Sequence, residues 1–156
     1  MDHLNDLRTA IDCLSIPDLS LVLHYDGMEE AGFVRLARFL PPLTSINVYE
    51  CILSASTMAL IGHETCFQTL TSLEIRIGLH NTKDLVEMFK AHWMRARQSN
   101  NTHSGIRSAT IDAIDASEKD ISQFSRDIAV IQKQLGVTDA KITLRLWTHR
   151  GRSWRF

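Results

Sequence analysis

A chain of 156 residues that is 44% apolar and 22% charged is long enough for one domain with a real core, and its composition is neither that of a disordered chain nor that of a membrane protein. Its 17 Lys and Arg nearly balance 18 Asp and Glu, so no global charge points to nucleic acid or an anionic membrane as partner. No run approaches the roughly 18 consecutive apolar residues of a spanning helix, and MDHLNDLRTAID lacks a basic start followed by an apolar run.

Three Cys, at 13, 51 and 66, form no tight pair, as expected of reduced thiols in a cytosolic or nuclear compartment. In chain order, a helix is expected over about residues 4–14, with Leu7, Ile11 and Leu14 covering the strand that follows. That strand holds Ile16, Leu19 and Leu21. Phe33, Leu36, Ala37 and Leu40 then form a helical stripe that Pro41-Pro42 stops. LTSINVYE, from Leu43 to Glu50, reads as the next strand. SASTMALIGHETCFQ predicts one or two helical turns broken near Gly62, and LTSLEIRI, from Leu70 to Ile77, is again a strand.

Leu85, Met88, Phe89, His92, Trp93 and Ala96 line one face of the next helix. QSNNTHSG, Gln98 to Gly105, is a loop. Ala109 and Ile111 belong to a strand, and Ser117 is an N-cap with Asp120 three residues on. Ile121, Phe124, Ile128, Ile131 and Leu135 follow at helical spacing, ended by Gly136. AKITLRL is a further strand. The last dozen residues, RLWTHRGRSWRF, hold four Arg, two Trp and no acid.

Three of these strands are in phase. Leu43-x-x-Ile46-x-Val48-x-x-Cys51-x-Leu53 recurs 27 residues later as Leu70-x-x-Leu73-x-Ile75, and 27 residues earlier as Ile16-x-x-Leu19-x-Leu21. Strands that alternate with helices are parallel, with right-handed crossovers. A doubly wound sheet buries both faces and needs near-continuous apolar strands, whereas these alternate apolar with polar. The helices are therefore expected on one face only. The open face is expected to carry two ladders of side chains. One is Ser20, Asn47, Glu74, Thr110 and Thr143, with Asn47, Glu74 and Thr110 exposed and Leu19, Ile46, Leu73 and Ile111 buried behind them. The other is Val22, Tyr49, Arg76, Asp112 and Arg145, with His24 and Trp147 at its ends. A rigid surface that mixes aromatics, Arg and acids suits protein recognition.

Chemistry-bearing motifs are absent: there is no Gly-x-Gly-x-x-Gly, phosphate loop, Gly-x-Ser-x-Gly or His-Glu-x-x-His, so no cofactor is expected. Cys51, His63, Cys66 and His80 lack metal-ligand spacing and read as core Cys and surface His, so no metal is expected either. The best catalytic pair is Asp112 with Asp115, near the C-terminal end of a parallel strand, where α/β enzymes place their chemistry. That pair defines the alternative reading, a small α/β enzyme. Trp147, Arg150, Arg152, Trp154 and Arg155 have the composition that stacks on single-stranded nucleic acid, but a solvated terminus explains them more simply.

LTSINVYECIL resembles the cysteine-containing leucine-rich repeat, and the irregular repeat lengths resemble the repeat region of fungal F-box proteins. The resemblance implies an α/β solenoid arc of about five parallel strands in sequential order, helices on one face, over residues 1–148. Residues 1–14 would be its capping helix and 149–156 a basic tail. It also implies a non-enzymatic interaction module, the substrate-recognition part of a ubiquitin ligase receptor. Its partner-binding residues would be Asn47, Tyr49, Glu74, Arg76, Asp112, Arg145 and Trp147. A Skp1-type adaptor would be a further partner if an F-box lies outside this chain.

Overall fold

The computed structural model describes residues 19–24, 30–40, 42–78, 82–99, 105–147 and 153–155. The N-terminal helix expected over 4–14, with Leu7, Ile11 and Leu14, lies outside them, as do His80, Arg150 and Arg152. Strand and helix alternate as β1 (Leu19–His24), α1 (Glu30–Phe39), β2 (Leu43–Leu53), α2 (Ala55–His63), a 3-10 turn (Thr65–Phe67), β3 (Ser72–Gly78), α3 (Thr82–Gln98), β4 (Ser108–Ile114), α4 (Glu118–Leu135), β5 (Lys141–Trp147) and β6 (Ser153–Arg155). The strands stand side by side in sequence order. Each pairing from β1 to β5 is parallel. β6 runs antiparallel to β5, so three residues of the basic C-terminal segment form a strand on that edge.

Period-two alternation puts one side of each strand into the core. Ile46 and Val48, Leu73, Ile75 and Ile77, Ala109, Ile111 and Ala113, and Leu144 and Leu146 are all buried. They share a single cluster with Met58 and Ile61 of α2, Leu85, Phe89 and Trp93 of α3, and Phe124 and Ile128 of α4. Leu19 belongs to the same expected set, but its side chain is not among those described.

The helix ends follow local chemistry. Ser117 Oγ accepts from the Asp120 amide at 3.2 Å while the Asp120 carboxylate accepts from the Ser117 amide at 3.1 Å, so two otherwise unsatisfied donors of α4 are met. Gly136, at φ 69°, takes the left-handed position that ends α4. The expected break near Gly62 is present, for α2 ends one residue later at His63 and Glu64 is already extended. Gly62 also marks where α2 meets α3: a β-carbon there would lie 3.2 Å from the Met88 carbonyl oxygen and 3.3 Å from Ala91 Cβ.

The recurrent LTS has a structural counterpart below the strands. The Thr71 amide donates to the Thr44 carbonyl at 2.9 Å, and the Thr71 hydroxyl donates to the same carbonyl at 3.1 Å. Farther along, the Arg107 amide donates to the Thr71 carbonyl and the Lys141 amide to the Arg107 carbonyl, each at 2.7 Å. One backbone rung thus joins each of the entries of β3, β4 and β5 to the one before it.

Candidate functional site

The polar residues of the sheet collect on the side away from the helices. Arg145, on β5, reaches back across two strands. Its Nε donates to Asp112 Oδ1 on β4 at 2.7 Å, and its Nη2 donates to Glu74 Oε1 on β3 at 3.1 Å. Burial works against the guanidinium charge, but the hydrogen bond and charge of Asp112, followed by those of Glu74, outweigh it and hold the Arg145 pKa above its ordinary value. The Asp112 side chain is 14% exposed, against 31% for Arg145 and 32% for Glu74. Asn47, Glu74 and Thr110, expected to be exposed, are half-buried. Strands about 4.8 Å apart let side chains on a common face cover one another, and the ion pairs draw three of these together.

The register corrects both expected ladders at their β1 and β2 ends. Asn47 pairs with Val22, not Ser20, and the first ladder reads Val22, Asn47, Glu74, Thr110 and Thr143. Tyr49 stands opposite His24, but it does not stand opposite Arg76. The residue facing Arg76 is Ile52, because five positions on β2 from Asn47 to Ile52 match only two on β3 from Glu74 to Arg76. β2 is eleven residues long and β3 seven, and a bulge in the longer strand takes up three of the four extra residues. Simple repeat counting carries no sign of that insertion. Arg76, Asp112 and Arg145 do share one rung as expected, and Trp147 stands in register between Ile114 and Ser153. The side chains of Tyr49 and Trp147 are outside those described.

Charge alternation along the rung foretold the Asp112–Arg145 pair. The reach of Arg145 to Glu74 was not foretold, since it skips a strand and needs the full length of an arginine.

Asp115 stands in the exposed turn after β4, at φ 56°. Asp112, which would have to act with it in a catalytic pair, has its carboxylate taken up by Arg145. Of the thiol and imidazole candidates, His63 is exposed and Cys66 half-buried. Burial, followed by the nearby Glu64 carboxylate, pushes the Cys66 pKa up, which keeps it a thiol. Among the described residues no group of three His, Cys, Asp or Glu side chains is placed to hold a metal ion. No helix among them is long and apolar enough to cross a membrane.

One buried titratable group lies on the other side of the sheet. His92, in α3, has its Nε2 2.9 Å from the Phe67 carbonyl and donates to it, while Nδ1 is buried without a hydrogen-bond partner among the described residues. Burial pushes its pKa down to about 4, so the ring is neutral and serves packing. Its place in the apolar stripe of that helix was the sequence signal for this role. No family model matches the chain, and searches of curated proteins and of solved structures likewise find no match.

Proposed function

We propose that this chain is a non-enzymatic protein-interaction module of leucine-rich-repeat type, and that the polar face of its sheet is the surface that receives the partner. The reading rests on one observation above all: Glu74, Asp112 and Arg145 form a pre-organised charge network on the sheet face that no described helix covers. A helix is about 10 Å across and a strand needs about 4.8 Å, so helices stacked along one side of a sequential sheet favour bending it, with the strands on the inner curve. Such a bend concentrates the polar side chains and supports the solenoid arc implied by the repeat. Ion pairs that are partly buried give up solvation for their attraction and so add little net stability, and a network like this one matters more for fixing the geometry of a contact. In this reading Asn47, Tyr49, Glu74, Arg76, Asp112, Arg145 and Trp147 supply the contact. Service in an F-box-type receptor beside a Skp1-type adaptor, in the cytosol or nucleus, is the extension that the family resemblance supports.

A small enzyme centred on Asp112 and Asp115 finds less support. A sheet in sequential order has no strand reversal to open a crevice at the carboxyl ends, and Asp112 is already engaged.

Affinity capture with quantitative mass spectrometry, run on the wild type beside two variants, tests the proposal. Thr143→Arg adds bulk and charge at an exposed position of the polar face, and Lys90→Glu reverses an exposed charge on α3. Partners of the module are those lost with Thr143→Arg and kept with Lys90→Glu. The same partners recovered by both variants would move the site off this face.

A further inference from the structure

Arg95, in the last turn of α3, reverses the usual disposition of a surface arginine. Such a side chain ordinarily lays its stem along the protein and keeps its charged head in water. Here the residue as a whole is half-buried, yet Nε, Nη1 and Nη2 are all buried, and none has a hydrogen-bond partner among the described residues. A guanidinium carries five N–H donors, and burying them without acceptors removes their hydration and puts nothing in its place. An apolar side chain of similar length would pack there at less cost, so the charge itself points to a ligand.

The head of Arg95 lies against a turn that borders a pocket. One helical turn earlier His92 bonds the Phe67 carbonyl, which seats this end of α3 on the 3-10 turn. Burial works against the charge of Arg95, and the groups near enough to offset that are Cys66 and then Glu64. Both line a pocket of about 390 Å³, with Arg38, Thr65, Gln68 and Thr69 in the rest of its polar wall. That volume is in the range of small-molecule sites. Arg38 enters from the last turn of α1, and its Nη2 donates to Glu64 Oε1 at 2.8 Å. The charged groups that act on Cys66 are thus one carboxylate, Glu64, and two guanidiniums, Arg38 and Arg95. The site carries a net positive charge around a neutral thiol.

We propose that the pocket beside the 3-10 turn binds a small organic oxyanion, a carboxylate or a phosphate monoester, whose oxygens take up the donors of Arg95. The fork of a guanidinium matches two oxygens of either group. The Arg95 head turns past Cys66 to meet the ligand, and Arg38 faces it from the α1 side. The Thr65 hydroxyl and the Gln68 amide are donors and acceptors for the rest of the molecule. This site uses none of the residues of the polar sheet face, so it stands or falls apart from the interaction surface.

The probes are inorganic phosphate, glycerol phosphate and succinate, each added to the full chain and compared with sodium chloride of equal ionic strength. At least one of them should raise the melting temperature where chloride does not. The same probe should slow alkylation of the free Cys66 by iodoacetamide several-fold, as followed by peptide mass spectrometry. A response to the phosphates alone assigns the ligand to phosphate esters, and a response to succinate alone assigns it to carboxylates. Arg95→Met should remove both effects. Without added anion it should melt no lower than the wild type, because an apolar chain has replaced a buried charge that lacks acceptors. Arg97→Met, at an exposed position of the same helical turn, should keep both effects. Effects that survive Arg95→Met, or no protection of Cys66 by any of the three probes, would overturn the proposal. An Arg95→Met chain that melts lower without anion would also overturn it, since the guanidinium would then have its partners within the fold.

Discussion

Two buried residues carry the sharpest consequences at the smallest scale. His92 is neutral in the fold, with a pKa held at about 4, against about 6.5 in an unfolded chain. The folded value is the lower one, so between those limits the unfolded chain binds more protons and acid favours it. Stability should therefore be fully present above about pH 6.5 and fall by an amount on the order of 3 kcal/mol as the pH drops toward 4. Urea denaturation at intervals across that window measures this, and His92→Gln should flatten the profile. Gly62 gives a steric prediction of the opposite sort, independent of pH. Its nearest neighbours across the helix contact are backbone atoms of Met88, which cannot turn aside as a side chain can. Gly62→Leu should cost about 1–3 kcal/mol or more by overpacking, far beyond what its better helix propensity returns. A melting temperature unchanged by this substitution would show that α2 and α3 are not in close contact.

For the elements, the sequence was most informative where one period held for long enough to be counted. The stripes of α3 and α4 and both ends of α4 were legible because apolar spacing, the Ser117–Asp120 box and Gly136 all indicate the same helix. The strand-entry positions were legible for the same reason, since LTS stands at the start of both β2 and β3. What stayed hidden was insertion and tertiary reach. A bulge in β2 leaves no mark on an alternating pattern, so Tyr49 was matched to Arg76 although Ile52 takes that place. Gly62 reads as a breaker from local propensity, and α2 does end one residue later, but the contact with α3 that calls for a glycine leaves no local signal. The one-sided sheet makes its own prediction. Leu73→Ala, at a fully buried position of β3, should cost about 2–5 kcal/mol, and Thr143→Ala, exposed on β5, should cost little. Chemical denaturation that found the two equal would contradict the division of the sheet into a core face and a polar face.

For the molecule as a whole, each strand among the described residues pairs only with its neighbours in sequence, so protection should be graded from the middle outward. Amides of β3 and β4, flanked on both sides, should exchange most slowly by hydrogen–deuterium exchange, and those of β1 and β6 fastest. A β1 that outlasted β3 would mean that the sheet does not open from its edges. The rungs below the strands add a sense of direction to this picture. At every joint from Thr44 to Lys141 the later residue supplies the donor and the earlier one the carbonyl that receives it. A ribosome releases the acceptor first. Each new strand entry thus emerges with its attachment point already on display, and the sheet can be laid down in the order in which it is translated.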